Sequence, residues 1–487
     1  MDGLQNAGEF EIQKIQLLTS EGIVIDLMDS VVELVITEAI NQKSIVGYIA
    51  LQDNVSLTNI APIIGQEYLI LKIATPSIID KNSIIDFTEN VFHINKIDQR
   101  APAGASSSVN VLQFTTAEII HNQRTLVSRS LKGTHSDIVT NLMKNDLQCK
   151  KRLFIENSIG TKQYVIPNYR PFEVISIMMR EAVSERNNSP TFLFYENFRG
   201  YHFRTVESLY ANGIVFRYQE SEGGQAPSPK NPKSKANLDK KLINSLQTIL
   251  EYRIHESVDT LSTSVVGSLS SNLLVHDIIS KTATTHNYNY FKNRSEEKHI
   301  NSWFGLDDNP IYNDVKIDNQ GRTISDFSSV QFLTPTSENP NTGTDSQFST
   351  YTDEGGENYP FSSVKSENWL QKRRSYMGTL STSHTIDISV NGTTMVAAGD
   401  CVELVLPEKA GQNRGKTPDR FFQGPFLIQS IQHTFSMSAR KHTMDMTLQK
   451  DSVLNKFISD DDHIEPKPTL TGEVFRDTDF YDLQEQK

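Results

Sequence analysis

A mainly β chain with an α+β middle, in which one β-barrel unit occurs twice, is the architecture this sequence predicts. Three observations carry it. Short segments rich in β-branched residues fill residues 23–117 and return over 386–448. Helical periodicity is confined to the stretch between them. The two β regions also share a spaced pattern. Gly65-Gln66-Glu67-Tyr68-Leu69-Ile70-Leu71 returns in kind as Gly399-Asp400-Cys401-Val402-Glu403-Leu404-Val405, 334 residues later. At the same separation Phe92-His93-Ile94-Asn95-Lys96-Ile97 matches Phe426-Leu427-Ile428-Gln429-Ser430-Ile431. A third block sets Leu112, Phe114 and Thr116 against Met444, Met446 and Leu448, with a loop two residues shorter. Each copy reads as a glycine turn, a strand, an excursion of about 20 residues, a strand opening on an aromatic, a loop and a strand.

In chain order, residues 1–120 form the first barrel, with strands at Val24–Ile25, Val31–Ile36, Tyr68–Ile73 and Val109–Phe114. Residues 121–245 are the α+β middle. There Thr134 or Ser136 caps a helix carrying Ile138, Val139, Leu142 and Met143. Pro171 opens a second helix with Phe172, Ile175, Met179 and Val183 on one stripe. Phe192–Tyr195 and Tyr201–Arg204 read as a hairpin. The Pro/Gly/Ser/Lys-rich stretch 218–240 cannot bury a core and reads as an exposed loop. Leu238, Leu242 and Leu246 then fit a short helix, and β texture resumes at Ile249–Ile254. The second barrel takes residues 246–290 and 373–450. Between its parts lies a polar insertion, 291–372, expected to be ordered by aromatics such as Trp303, Phe304, Tyr351, Tyr359, Phe361 and Trp369 docking elsewhere. Residues 451–487 form an acidic tail.

Composition excludes several functions. The 487 residues hold 47 Lys+Arg against 59 Asp+Glu, a net charge of −12, which does not suit a surface that grips nucleic acid. Two cysteines, Cys149 and Cys401, rule out a disulfide framework or a Cys-rich zinc module and read as buried small hydrophobes. No apolar run reaches about 18 residues, so no stable membrane insertion is expected. The polar, acidic start argues against a secretory signal. Gly411–Thr417 has three residues between its glycines where a phosphate loop needs four, and Pro418 follows. His255-Glu256 lacks the second histidine of a zinc protease, since that position is Asp259. Lys230, Lys233, Lys235, Lys240 and Lys241 form a basic stretch without aromatics, which reads as a solvated loop. Any pair among the 59 acids could serve glycoside cleavage, and nothing singles one out. The chain is therefore expected not to be an enzyme, with no catalytic residue, cofactor or metal.

The order of parts, with Phe172-Glu173 opening the middle helix, the Phe192–Tyr195 and Tyr201–Arg204 hairpin and the closing block Phe426–Leu448, resembles the baseplate central hub protein of T-even-like contractile-tailed phages. The N-terminal part of type VI secretion spike proteins shares that fold. The resemblance implies two tail-tube-like β-barrel domains per chain and a homotrimeric, pseudo-hexameric ring. Such a ring adapts a hexameric tail tube to a trimeric central spike and leaves a channel through which DNA only passes. It implies as partners the trimeric spike, tail tube or tube-initiator proteins, and the tape-measure and wedge proteins. Its location would be the virion baseplate, after assembly in the host cytoplasm. On this view strand edges carrying Val31, Val35, Tyr68, Leu71, Val402, Val405, Met444 and Met446 build the ring, so that neighbouring barrels extend one another's sheets. The tail acids Asp460, Asp461 and Asp462 would dock a partner. Two other readings act through insertion 291–372: a carbohydrate- or receptor-binding tip whose aromatics stack on sugar, and a cell-wall-degrading tip.

Overall fold

The structure is a computed structural model and describes residues 6–53, 63–76, 83–102, 107–220, 242–256, 259–277, 281–335, 350–352, 358–360, 365–408 and 418–454. The tail acids Asp460–Asp462, Gly411–Thr417 and nearly all of the Pro/Lys loop lie outside them.

The first barrel comprises β1 (Glu11–Leu18), β2 (Val24–Asp26), β3 (Val31–Ala39), β4 (Val46–Asp53), β5 (Tyr68–Ala74), β6 (Ile84–Pro102) and β7 (Ser108–Thr116). Its inward side chains, among them Leu34, Ile49, Leu69, Leu71, Ile73, Phe92 and Phe114, make one buried cluster, each contributing roughly 1.5–3 kcal/mol by leaving water. Gly47 lets β4 lie close against its neighbours β3 and β7. A Cβ there would lie 2.2 Å from the Val35 carbonyl oxygen and 2.5 Å from the Phe114 ring.

The middle holds α1 (Ala117–Arg124), β8 (Val127–Gly133), α2 (His135–Asn141), β9 (Leu153–Ile155), β10 (Lys162–Tyr169), α3 (Pro171–Glu181), β11 (Phe192–Asn197), β12 (Gly200–Thr205) and α4 (Val206–Tyr210). Thr134 is the cap of α2, in a capping box with Asp137. Pro171 begins α3, and Phe172, Val174, Ile175 and Met178 are buried. β11 and β12 pair antiparallel, Phe192 opposite Thr205, as the hairpin pattern implies.

Beyond it come β13 (Ile214–Gln219), β14 (Ile249–Glu256), α5 (Thr260–Val266), β15 (Ser270–Asp277), β16 (Thr282–Asn289), α6 (Tyr290–Asn293), α7 (Ile300–Trp303), β17 (Asn309–Pro310), β18 (Val330–Pro335), β19 (Thr350–Thr352), β20 (Asn358–Pro360), α8 (Ser366–Ser381), β21 (His384–Asn391), β22 (Cys401–Pro407), β23 (Pro418–Ser436), β24 (Lys441–Lys450) and β25 (Ser452–Val453). The largest sheet runs β14-β21-β24-β23-β3-β4-β7-β6-β5-β1-β2, with β22 on β23 and β13 on β22.

The duplication is plain in this order. β3-β4-β7-β6-β5 corresponds to β14-β21-β24-β23-β22. β6 and β23 are both 19 residues long and start 334 residues apart. Their ladders correspond residue by residue: His93 opposite Thr115 and Ile94 opposite Phe114 match Leu427 opposite Gln449 and Ile428 opposite Leu448. Both ladders then bulge at the same step, Ile94/Lys96 and Ile428/Ser430. The first pair of each unit shares another bulge, Val31/Glu33 in β3 and Ile249/Glu251 in β14. Gly65 and Gly399 both take positive φ, 85° and 89°, as the turn requires.

The structure departs from the sequence reading in four places. The third block keeps the 334 separation, with Leu112 equivalent to Met446 and Phe114 to Leu448; on an alternating strand a slip of two leaves the same face apolar. In the first block the inward residues Leu69 and Leu71 match Val402 and Leu404, one residue off the sequence alignment. β13, assigned by texture to the middle, pairs in parallel with β22 and joins the second barrel. Residues 270–289, assigned to that barrel, instead form β15 and β16 of a separate three-stranded sheet with β18 of the insertion. The insertion is ordered in part by aromatics: Phe304 docks, as expected, on the cluster that includes Tyr376 and Leu380, while Tyr312 packs with Leu269, Tyr288 and Tyr290. Trp303 is 37 % exposed.

Candidate functional site at the joint between the barrels

The side chains expected to build a ring interface hold the two cores instead. Val31 and Leu71 lie in the first core, and Val402, Met444 and Met446 in the second. Val35 is 2 % exposed, and Tyr68 and Val405 are half-buried. Their strands β3, β5, β22 and β24 are each paired on both sides within the chain. A strand with two neighbours has no backbone groups left for a third, so the expected edges are corrected: these four cannot extend a neighbour's sheet.

The site that the structure does build is the joint between the barrels. The first half of β23 pairs with β22, and its second half pairs along the same edge with β3, from Ser430 opposite Ala39 to Ser436 opposite Glu33. Ile431, His433, Phe435, Leu34 and Ile36 are buried there, none above 2 % exposure. Thr75 and Thr394 add a reciprocal pair of bonds, Thr75 N to Thr394 Oγ1 at 3.3 Å and Thr394 N to Thr75 Oγ1 at 3.0 Å.

The β11–β12 turn wedges into this joint. Glu38 of β3, 1 % exposed, accepts from the Phe198 N–H at 2.9 Å and the Ala398 N–H at 2.8 Å. One carboxylate thus ties the first barrel, the middle and the second barrel. Arg199 donates to both Asp400 oxygens, at 2.8 and 2.9 Å, and to the Met395 carbonyl at 2.8 Å. That forked geometry fixes direction as well as distance. Asn197 Nδ2 donates to the Ala398 carbonyl at 3.1 Å. On the other side Lys151 donates to Glu118 at 2.7 Å and Glu196 at 2.5 Å, while Glu196 accepts from Ile45 N and Thr116 Oγ1. Burial opposes the Lys151 charge, but Glu196 and Glu118 outweigh it and hold its pKa above the ordinary lysine value. Burial pushes the Glu196 carboxyl up, against the pull of Lys151.

These residues were missed by sequence reasoning because a lone buried acid has no spacing signature. Two faint signals were present: Asp400 follows the repeat glycine, and Asn197–Gly200 is the turn of the hairpin. The arrangement orients domains. Burial pushes the Cys149 and Cys401 thiols up, and among the described residues no three metal-ligating side chains converge.

The sheet face turned away from the cores is mixed: Val35, Val46 and, from α1, Ile119 and Ile120 lie among its polar side chains. Two adjoining hollows on it, of about 430 and 540 Å³, meet at Thr37 and Gln432. Ser389, Ser430, Thr447 and Gln113 line them, together with Asp387 and Asp445.

No family model matches the chain, and no curated protein matches its sequence. Solved structures do match. The chain is similar to the tail protein from Neisseria meningitidis MC58, at 10 % identity and a TM-score of 0.50, over 91 % of this chain and 97 % of that one. It is also similar to the 43 kDa tail protein of prophage MuSo2 from Shewanella oneidensis (9 %, 0.43, 90 % and 98 %). A component of the type VI secretion system of E. coli, described as structurally similar to the T4 tail proteins gp27 and gp5, matches at 8 % identity and 0.39 over 91 % and 76 %. Two barrels in one sheet, a wedged middle domain and this likeness across nearly the whole chain together give the fold of a phage tail protein.

Proposed function

We propose that the chain is the structural hub of a phage tail baseplate, without catalysis. Three copies form a ring that presents six similar barrels to a hexameric tail tube and three middle domains to a trimeric spike, around a channel for the genome. The observation that carries this is the duplicated five-strand unit, joined within the chain by β23 and β3. A head-to-tail contact that repeats between like units closes into a ring when its rotation allows. The tail-protein fold supports a structural role in the virion. In this reading the tube or tube-initiator proteins meet the barrels, and the spike, tape-measure and wedge proteins meet the rest. Native mass spectrometry of the purified chain, alone and with its spike, tests the proposal. A mass of three times 54.9 kDa is expected; a stable monomer in both samples overturns it.

A further inference from the structure

We infer that Lys151 and Glu196 condense into an amide, an internal cross-link formed inside the folded middle domain with Glu118 carrying the proton. The bond joins the chain just before β9 to β11, at the base of the hairpin whose turn wedges between the barrels. It does not depend on the hub reading above.

The geometry holds an amine, a carboxyl and a proton carrier at one point. Lys151 Nζ lies 2.5 Å from Glu196 Oε1 and 2.7 Å from Glu118 Oε2. The Lys151, Glu196 and Glu118 side chains are 7 %, 0 % and 6 % exposed, so water is shut out. The second Glu196 oxygen, Oε2, accepts from the Thr116 hydroxyl at 2.8 Å and the Ile45 N–H at 3.1 Å. Donors fixed on one oxygen are what a carboxyl needs as its carbon becomes tetrahedral and that oxygen gains charge. They also leave Oε1, beside Lys151 and Glu118, as the oxygen that carries the acid proton and departs. Among the described residues neither a backbone N–H nor a hydroxyl donates to Glu118, which suits it to carry a proton rather than to be attacked. The Tyr201 ring covers the amine, its centroid 5.5 Å from Nζ.

Charge favours the reaction. Two carboxylates and one ammonium would leave a net negative charge in a dry interior, which is costly. Burial accordingly pushes the Glu196 carboxyl up, towards its neutral and electrophilic form. Lys151 keeps its proton in the resting site, so the amine is freed only when that proton passes along the hydrogen bond to Glu118. The Nζ lone pair then forms the C–N bond to Glu196 Cδ, and the carbonyl π pair moves to Oε2. Glu118 gives its proton to the Oε1 hydroxyl, which leaves as water with the C–O bonding pair while Oε2 restores the carbonyl. The nitrogen returns one of its two remaining protons to Glu118. A neutral acid then faces a neutral amide, and nothing has been oxidised or reduced. Groups held in this way act at effective concentrations on the order of 10⁵ M or more, which favours condensation over separation.

Mass spectrometry of the full chain tests this. The denatured wild type is expected to weigh about 18 Da less than its sequence, one water. Trypsin is expected to release a branched peptide that joins Lys151-Arg152 to residues 187–199 through Glu196. Lys151→Met, which has no amine, and Glu118→Gln, which cannot carry the proton, are each expected to show the full sequence mass. A wild type at full sequence mass after prolonged incubation of the folded protein, with residues 187–199 unbranched, overturns the inference and leaves the trio as an ion pair only. A branch at Glu118, or a water loss that maps elsewhere, overturns the assignment of Glu196. A branched peptide that persists in Glu118→Gln overturns the role of Glu118. The wild-type measurement decides the bond itself, whether or not either variant folds.

Discussion

His384 sits against the rings of Phe421 and Phe422, at 5.5 and 5.4 Å, and neither of its ring nitrogens has a hydrogen-bond partner among the described residues. Burial pulls its pKa from 6.5 down to about 4, and does the same for His135. His202 and His442 are driven well below 6.5, also by burial. His299 goes the other way: burial lowers it, but Asp451 at 3.0 Å raises it further. Below pH 6.5 the unfolded chain binds protons at these four depressed sites that the folded chain refuses, so each of them takes stability away as pH falls from 6.5 towards 4. His299, and the buried Glu207 and Glu297 carboxyls that burial pushes up to about 7, act in the opposite direction. His384→Phe removes one refused proton and is expected to gain about 2 kcal/mol on the parent between pH 7 and pH 5 in urea unfolding. A variant whose pH profile parallels the parent's would refute this. At the joint, Arg199→Ala leaves the Asp400 carboxylate, 3 % exposed, with the Ala397 N–H and no cation. A loss of about 3 kcal/mol is expected from the urea midpoint, and a loss under about 0.5 kcal/mol would mean that the wedge does not hold the barrels together.

Strand pairing decides what can be changed at the scale of elements. Val405 lies opposite Gln423 on one side and Gln219 on the other, and its carbonyl accepts from the Glu220 N–H. Val405→Pro is therefore expected to unfold the second barrel, at about 3 kcal/mol or more, rather than to release intact monomers. A folded, monomeric product would show the pairing of β22 to be wrong. The sequence placed Val405 on a strand correctly but on a ring-forming edge incorrectly, and the reason is physical. Alternation of apolar and polar residues reports which face is buried and says nothing of how many neighbours a strand has. The turns were legible because glycine at positive φ is a local requirement, met at Gly65 and Gly399. The caps of α2 and α3 were legible through Thr134 and Pro171 for the same reason. The parallel pairing of β13 and the double use of β23 were not, since partners more than 180 residues apart leave no local mark. The joint's Glu38, Arg199 and Asp400 belong to the same class: each has meaning only once three distant segments meet.

In the whole molecule, the continuous sheet from β14 to β6 has one face on the cores and, among the described residues, a face left free at the two hollows, with α1 beside the second. In the proposed ring that free face is the channel wall. Around its hollows it carries Glu251, Asp387 and Asp445 against Arg253, among hydroxyl and amide side chains. This composition suits a surface that DNA passes without adhering, because a phosphate backbone is held by clusters of Lys and Arg. The chain's net charge of −12 does not by itself establish this, since the acidic tail contributes much of it. Position on the face decides. The parent is expected to show no retention of a short DNA duplex in fluorescence anisotropy at 50 mM salt. Asp387→Lys with Asp445→Lys reverses two charges on the wall and is expected to create binding that weakens steeply by 200 mM salt. Glu21→Lys with Asp29→Lys, exposed on the first barrel away from the hollows, makes the same change in net charge and is expected to bind much more weakly. Equal binding by the two double variants would show that net charge alone governs contact, and that this face has no special access to DNA. Stronger binding by the wall variant, found only in the trimer, would place the duplex inside the ring.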